Sequence, residues 1–175
     1  MFSKWAYVLI GDNNSGKTSF QRGLVNVLCA NRYKRLRRNT VKDIVHPRAP
    51  KRLMTLFTCN RSFQEKREEY KSVGRYFRLY FKEADICILS SHAHGNSKKD
   101  VIEMIAELQQ RCYNVAGVFW SNSFTSDAQK IALLPWQERM RIDNPLQKEP
   151  ERVPRQLSHI SREFAELLLV RAGSQ

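Results

Sequence analysis

A chain of 175 residues, 42% apolar and 27% charged, can bury a proper core and is too apolar to be a disordered segment. Its formal net charge of +13 points to anionic partners: nucleic acid, phosphorylated metabolites or an acidic protein. No apolar run approaches the ~18 residues of a membrane-spanning helix, and Met1-Phe2-Ser3-Lys4-Trp5 passes straight into a strand pattern without a leader's apolar stretch.

Cys29, Cys59, Cys87 and Cys112 lie far apart, so neither a zinc site nor a disulfide framework is readable. The expectation is a cytoplasmic protein without a membrane partner, folded as one domain over residues 1–175.

Trp5–Ile10 is a short apolar run, the pattern of a buried strand. Phe20, Leu24, Val27 and Leu28 then share one face of a helix predicted from about Gly16 to Asn31. The segment from Arg32 to Arg52 follows. It holds Arg32, Lys34, Arg35, Arg37, Arg38, Lys42, Arg48, Lys51 and Arg52 against one acid, Asp43, and Pro47 and Pro50 mark its second half as loop. Leu53–Cys59 reads as a second strand. Ser62 with Glu65 three positions on forms a capping box, and Phe63, Tyr70, Val73, Phe77, Tyr80 and Phe81 give one helical stripe.

Asp85–Ser90 is the third strand, with Asp85 at its amino end. Asn96 or Ser97 caps a helix whose apolar face carries Val101, Ile105, Leu108 and Cys112. Val115–Trp120 is the fourth strand, and Ser126 with Gln129 opens a helix interrupted by Pro135. Arg139–Pro154 is polar and proline-rich, the composition of a loop. Leu157, Ile160, Phe164, Leu167 and Leu168 define a last amphipathic helix. Strands alternating with helices predict an α/β fold: three layers, with a mostly parallel sheet of four or five strands and helices on both faces.

One segment carries chemistry. Gly11-Asp12-Asn13-Asn14-Ser15-Gly16-Lys17-Thr18 matches G-x-x-x-x-G-K-[ST] in full, between an apolar strand and an amphipathic helix. Glycines permit tight turns and close approach to phosphate. Successive amides form an anion nest, and the helix adds its positive end. On these residues the chain resembles the P-loop NTPase superfamily. The resemblance implies that Gly11, Asp12, Asn13, Asn14, Ser15, Gly16, Lys17, Thr18 and, by position, Ser19 hold a nucleoside triphosphate. It assigns Lys17 to the β and γ phosphates and Thr18 to Mg²⁺.

The pattern departs from that superfamily in one respect. None of the later strands ends in the aspartate that usually helps to hold Mg²⁺. Glu65 either substitutes as a base near the nucleotide or serves only its capping box. Asp43 either reaches the metal or is solvated, while Asp85 reads as structural. His92, like His94 just beyond the third strand, either meets the γ-phosphate or is an ordinary loop histidine. Arg61 either binds an acceptor or pairs with Glu65 or Glu68. The stretch after the fourth strand, Ser121-Asn122-Ser123-Phe124-Thr125, lacks the N-K-x-D pattern of guanine recognition, which favours ATP over GTP.

The basic segment 32–52 has three readings: a lid whose arginines clamp a phosphoryl group, a nucleic-acid contact with Tyr33 as stacking surface, or a solvated face. The leading expectation is an ATP- and Mg²⁺-dependent enzyme that hydrolyses the γ-phosphate or transfers it as a small kinase-like phosphotransferase does, with catalytic candidates Lys17, Glu65, His92 and Arg61. The alternative is a regulatory ATP-binding module acting through a protein or nucleic-acid partner.

Overall fold

Alternation along the first strand decides the layers. In β1 (Trp5–Ile10), Ala6, Val8 and Ile10 join the core on one face of the sheet, and Tyr7 and Leu9 that on the other. A strand that is apolar on both faces must be covered on both. Helices α1 (Lys17–Leu28) and α6 (Val153–Gly173) cover Tyr7 and Leu9 through Phe20, Leu24, Leu157 and Phe164. The opposite face is covered by α2 (Arg67–Tyr70), α3 (Val73–Leu79), α4 (Ser97–Gln110) and α5 (Ser126–Ala132), which contribute Tyr70, Phe77, Val101 and Ile131. The computed structural model, which describes residues 3–30 and 33–174, is therefore a three-layer α/β fold.

The sheet adds β2 (Thr40–Asp43), β3 (Thr55–Thr58), β4 (Ile86–Ser91), β5 (Asn114–Trp120) and β6 (Glu138–Ile142). Its order is β2-β3-β4-β1-β5-β6, parallel throughout except for β2 against β3. Ile10 lies beside Ser91 and Phe119, so the carboxyl ends of β1, β4 and β5 share one rim. The chain crosses from one side of β1 to the other between β4 and β5, which makes that rim the crevice where α/β sheets bind ligands.

Six strands replace the expected four or five. The additions are the two edges, which bury little and so carry weak apolar signals. β2 lies inside the segment 32–52 and has one apolar residue, Val41. β6 lies inside the predicted 139–154 loop, where Met140 and Ile142 alternate with Arg139 and Arg141. The helix expected from Ser62 onward is broken: a short 3₁₀ turn at Gln64–Lys66 leads into α2, and Lys71, at φ 66°, separates α2 from α3. The stripe is buried nonetheless, since Phe63, Tyr70, Val73 and Phe77 point to one core. Cys112 is exposed in a left-handed turn after α4 and does not join its apolar face. α1 ends at Leu28, with Ala30 left-handed. The expectations that fall on Met1, Phe2, Asn31 and Arg32 lie outside the described residues.

Asp85 is structural, as its position implies. Its Oδ2 accepts from the amides of Met54 and Thr55 and from the Thr55 hydroxyl at 2.8–2.9 Å, pinning β3 to β4. Among the described residues no helix is long and apolar enough to cross a membrane.

α1 and α6 meet at two small residues. The Ser161 hydroxyl, fully buried, donates to Leu157 O at 2.6 Å and lies 3.1 Å from Phe20 O. A Cβ added to Gly23 would stand 2.3 Å from Ser161 Oγ and 2.7 Å from its Cβ. Gly→Ala inside a helix ordinarily stabilises by about 1 kcal/mol. Here Gly23→Ala must push the helices apart, and the expected outcome is a loss of about 1–3 kcal/mol in urea unfolding. Adding Ser161→Gly should recover part of that loss.

Candidate functional site

The Gly11–Thr18 segment emerges from β1 at the rim. Gly11 N donates to Ser91 O at 3.2 Å, and a Cβ there would lie 2.9 Å from Ser15 Oγ and 3.1 Å from Trp120. The chain then turns through two left-handed residues, Asn14 at φ 63° and Gly16 at φ 100°. Asparagine and glycine are the residue types that take this conformation most readily. The turn is held from three strand ends. Ser123 Oγ, after β5, accepts from Asp12 N at 2.6 Å. His94, after β4, meets Asp12 Oδ1 at 2.8 Å. Asn144, after β6, donates to Ser15 O at 2.9 Å and is itself held by Gln156 of α6.

This anchoring leaves the loop's donors open. Among the described residues, no acceptor meets the backbone N–H groups of Asn13, Asn14, Gly16, Lys17, Thr18 or Ser19. All six residues line an open cleft of about 550 Å³, together with Ser15, Asn60, Arg61, Glu65, Val153 and Leu157. Gly11 and Asp12 stand behind it as supports. Open amides at the amino end of α1 suit an anion.

Lys17 is buried, and its ammonium donates to Gly11 O at 2.6 Å, Asp12 O at 2.7 Å and Ser15 Oγ at 3.2 Å. Burial lowers its pKa to about 8, against the opposing pull of the Glu65 and Asp12 charges. Thr18 Oγ1, at the cleft wall, donates to Asn60 O at 3.1 Å.

Across the cleft, Arg61, Glu65 and His92 come together. Glu65 Oε2 accepts from Arg61 at 2.9 Å, and Glu65 Oε1 lies 3.3 Å from His92 Nε2. Burial pushes the Glu65 carboxyl up, but the bonds from Arg61 and His92 prevail and hold it below the ordinary value. Burial first, then the Lys17 charge, depress His92 against the pull of Glu65, so the ring is neutral at pH 7. Glu65 makes its capping contact and also lines the cleft. Its amide donates to Ser62 Oγ at 3.2 Å as in a cap, while its carboxylate faces the cleft. Arg61 pairs with Glu65 and not with Glu68, which meets Lys71. His92 is buried behind Glu65 and does not line the cleft.

The basic segment divides in two. β2 runs antiparallel to β3, with Thr40 beside Thr58 and Asp43 beside Thr55, so it carries the chain away from the rim. Asp43 is therefore at the far end of the sheet, out of reach of a metal at the loop. Arg52 donates to the carbonyls of Ala172 and Gly173 and caps α6, and Arg48 pairs with Glu166. Tyr33 is half-buried against the core with Lys42 over its ring. Only residues 34–38 stay near the cleft, so a lid cannot extend over the whole of 32–52; Arg32 itself lies outside the described residues.

Several site residues escaped sequence reasoning. Asn144 and Gln156 sit in or beside the stretch read as loop; the Met140/Ile142 alternation was the available signal for the strand that delivers Asn144. Gln21, fully buried on α1, donates to Ser90 Oγ at 2.8 Å and Cys59 O at 3.3 Å, tying the helix to the ends of β3 and β4. Nothing in the helical pattern marks it.

No protein-family model matches the chain, and no curated protein does. Among solved structures, the solution NMR structure of a de novo designed protein of P-loop NTPase fold is similar. It shares 16% identity over 94% of this chain and 92% of that chain, with a TM-score of 0.41.

The buried ammonium generates a stability prediction. A lysine pKa lowered from 10.5 to about 8 costs the folded protein on the order of 3 kcal/mol near neutral pH. Lys17→Met removes that cost along with the charge. Calorimetry without ligand is expected to give a Tm at or above that of the unsubstituted protein.

Proposed function

We propose that this chain is a P-loop protein that binds a nucleoside triphosphate with Mg²⁺ along Gly11–Thr18 and transfers or hydrolyses the γ-phosphate. The observation that carries this reading is the row of open amides from Asn13 to Ser19, set beside a buried ammonium at the start of a helix. Backbone carbonyls satisfy Lys17 in the free protein. Phosphate oxygens are better partners for it, so binding draws Nζ from Gly11 O and Asp12 O towards the ligand.

Thr18 fits Mg²⁺ as one hard oxygen ligand. The magnesium preference for water and substrate phosphate in its remaining positions suits a site where no three His, Cys, Asp or Glu residues gather among those described. Bound there, Mg²⁺ would neutralise charge on the phosphates. Glu65, ionised at neutral pH, is placed to orient the acceptor or attacking water and take its proton. His92 positions Glu65 from behind, and Arg61 offsets charge spreading over the transferred group. The segment 121–125 lacks a guanine-reading pattern, so ATP is the proposed nucleotide.

A second reading has its own support. β4 ends in Ser90 and Ser91 without a carboxylate, and the Ser90 hydroxyl is occupied by Gln21. That favours a regulatory module that binds ATP and turns it over slowly.

Incubation of the protein and of Lys17→Ala with Mg²⁺, γ-labelled ATP and the dialysable, small-molecule fraction of a cell extract separates the outcomes. A labelled product or free labelled phosphate, lost with the substitution, supports the enzyme. Binding without turnover supports the module. Absence of any ATP-induced thermal shift refutes both, since a ligand at a hundredfold excess over Kd adds about 2.7 kcal/mol.

Affinity should also depend on pH with a definite sign. Free Lys17 loses its proton as pH rises through about 8. The bound phosphates raise its pKa, so binding above that pH takes up a proton. Titration calorimetry in buffers of different ionisation enthalpy is expected to show proton uptake and affinity weakening by up to about tenfold per pH unit above pH 8.

A further inference from the structure

A second cavity, of about 740 Å³, opens beside the loop cleft and shares Thr18, Asn60 and Arg61 with it. Its charge is one-sided. Residues 34–38 enter it with Arg22, Arg61 and Lys66, and among the described residues no carboxylate lines it. Two of these cations are balanced from outside: Glu69 pairs with Arg38 at 2.7 Å and Glu65 with Arg61 at 2.9 Å. Lys34, Arg35, Arg37 and Lys66 have no carboxylate partner among the described residues. Keeping like charges together around one concavity destabilises the free protein, and a multiply charged anion relieves it.

The cavity's shape and lining narrow the ligand. Its volume matches a small molecule. Among the described residues, its one apolar lining residue is Leu36, and no aromatic ring lines it. Bases of a single strand stack on aromatic side chains, and Tyr33, half-buried with Lys42 over its ring, is not part of this lining. Recognition here therefore rests on anionic charge, which phosphate groups supply most densely.

We infer that this cavity binds a small phosphorylated polyol as the acceptor for the γ-phosphate held in the adjoining cleft, an inference that rests on the nucleotide reading above. The acceptor's phosphate sits among Lys34, Arg35, Arg37 and Lys66, and a free hydroxyl points across the shared wall of Thr18, Asn60 and Arg61. The hydroxyl oxygen forms the new bond to the γ phosphorus. The bond from that phosphorus to the β–γ bridging oxygen breaks, and its electron pair leaves with the nucleoside diphosphate. The hydroxyl proton passes to the Glu65 carboxylate.

The test uses the full chain loaded with Mg²⁺ and a non-hydrolysable ATP analogue, titrated with fructose 1,6-bisphosphate, with fructose and with short and long 5′-phosphorylated oligonucleotides. Arg35 and Arg37 are exposed, so Arg35→Ala/Arg37→Ala should fold normally. Lys98→Ala/Lys99→Ala, also exposed but on α4, controls for general charge. The expected result is salt-sensitive binding of the bisphosphate but not of fructose. That binding should be weakened about tenfold or more in the Arg35/Arg37 variant and be unchanged in the Lys98/Lys99 variant, with analogue affinity the same in all three.

No bisphosphate binding, or equal loss in both variants, overturns the proposal. So does binding that strengthens with oligonucleotide length and far exceeds that of the bisphosphate, which would make the surface a nucleic-acid contact. Failure of the nucleotide reading looks different: the analogue then fails to bind the unsubstituted chain, whatever the bisphosphate does.

Discussion

A positive charge buried beneath a bend of backbone is the constraint on which the rest of this site depends. Lys17 has almost no contact with solvent, yet its ammonium must be solvated by something. The carbonyls of Gly11 and Asp12 and the hydroxyl of Ser15 supply that solvation, and they can do so only if the chain curls back over the start of α1. The curl in turn requires the left-handed turns at Asn14 and Gly16 and the external ties from Ser123, His94 and Asn144. Each tie comes from a different strand end, so the shape of one short loop is set by most of the sheet.

The same arrangement gives the cleft two unlike sides. The loop side offers open amides and an ammonium, which suit an anion. The facing side offers the Glu65 carboxylate, framed by Arg61 and His92. A carboxylate at the end of β4 would have combined metal binding with the sheet rim. Ser90 and Ser91 stand there instead, and Gln21 uses the Ser90 hydroxyl to lock α1 in place. That position serves anchoring.

The central strands, the loop and both core faces were legible in the sequence because they obey strong local rules. β1 is apolar without interruption, and α1 repeats its apolar residues at helical spacing. The edges were illegible for the converse reason: β2 offers only Val41, and β6 alternates arginines with Met140 and Ile142, so neither buries enough to mark itself. The break at Lys71 was hidden because the stripe on either side keeps the same core. Composition also misplaced the basic segment. Nine cations within 21 residues look like one device, but a short antiparallel strand sends Arg48 and Arg52 to the far side, where they hold α6, and leaves residues 34–38 in the cavity beside the cleft. Asn144 reached the loop through long-range pairing, which no local pattern encodes.

The seam between α1 and α6 has a consequence for how the protein comes to be folded. The Ser161 hydroxyl lies against Phe20 O across 141 positions of chain, and Asn144 reaches Ser15 across 129. Both contacts depend on the last third of the chain: Ser161 belongs to α6, and Asn144 is held by Gln156 of that helix. The curl over Lys17 is therefore complete only when α6 is docked on α1, so the shape of the loop and the docking of the last helix are thermodynamically one event. A ligand that fixes the loop fixes α6 with it, although Val153 and Leu157 are that helix's only residues in the cleft lining among those described.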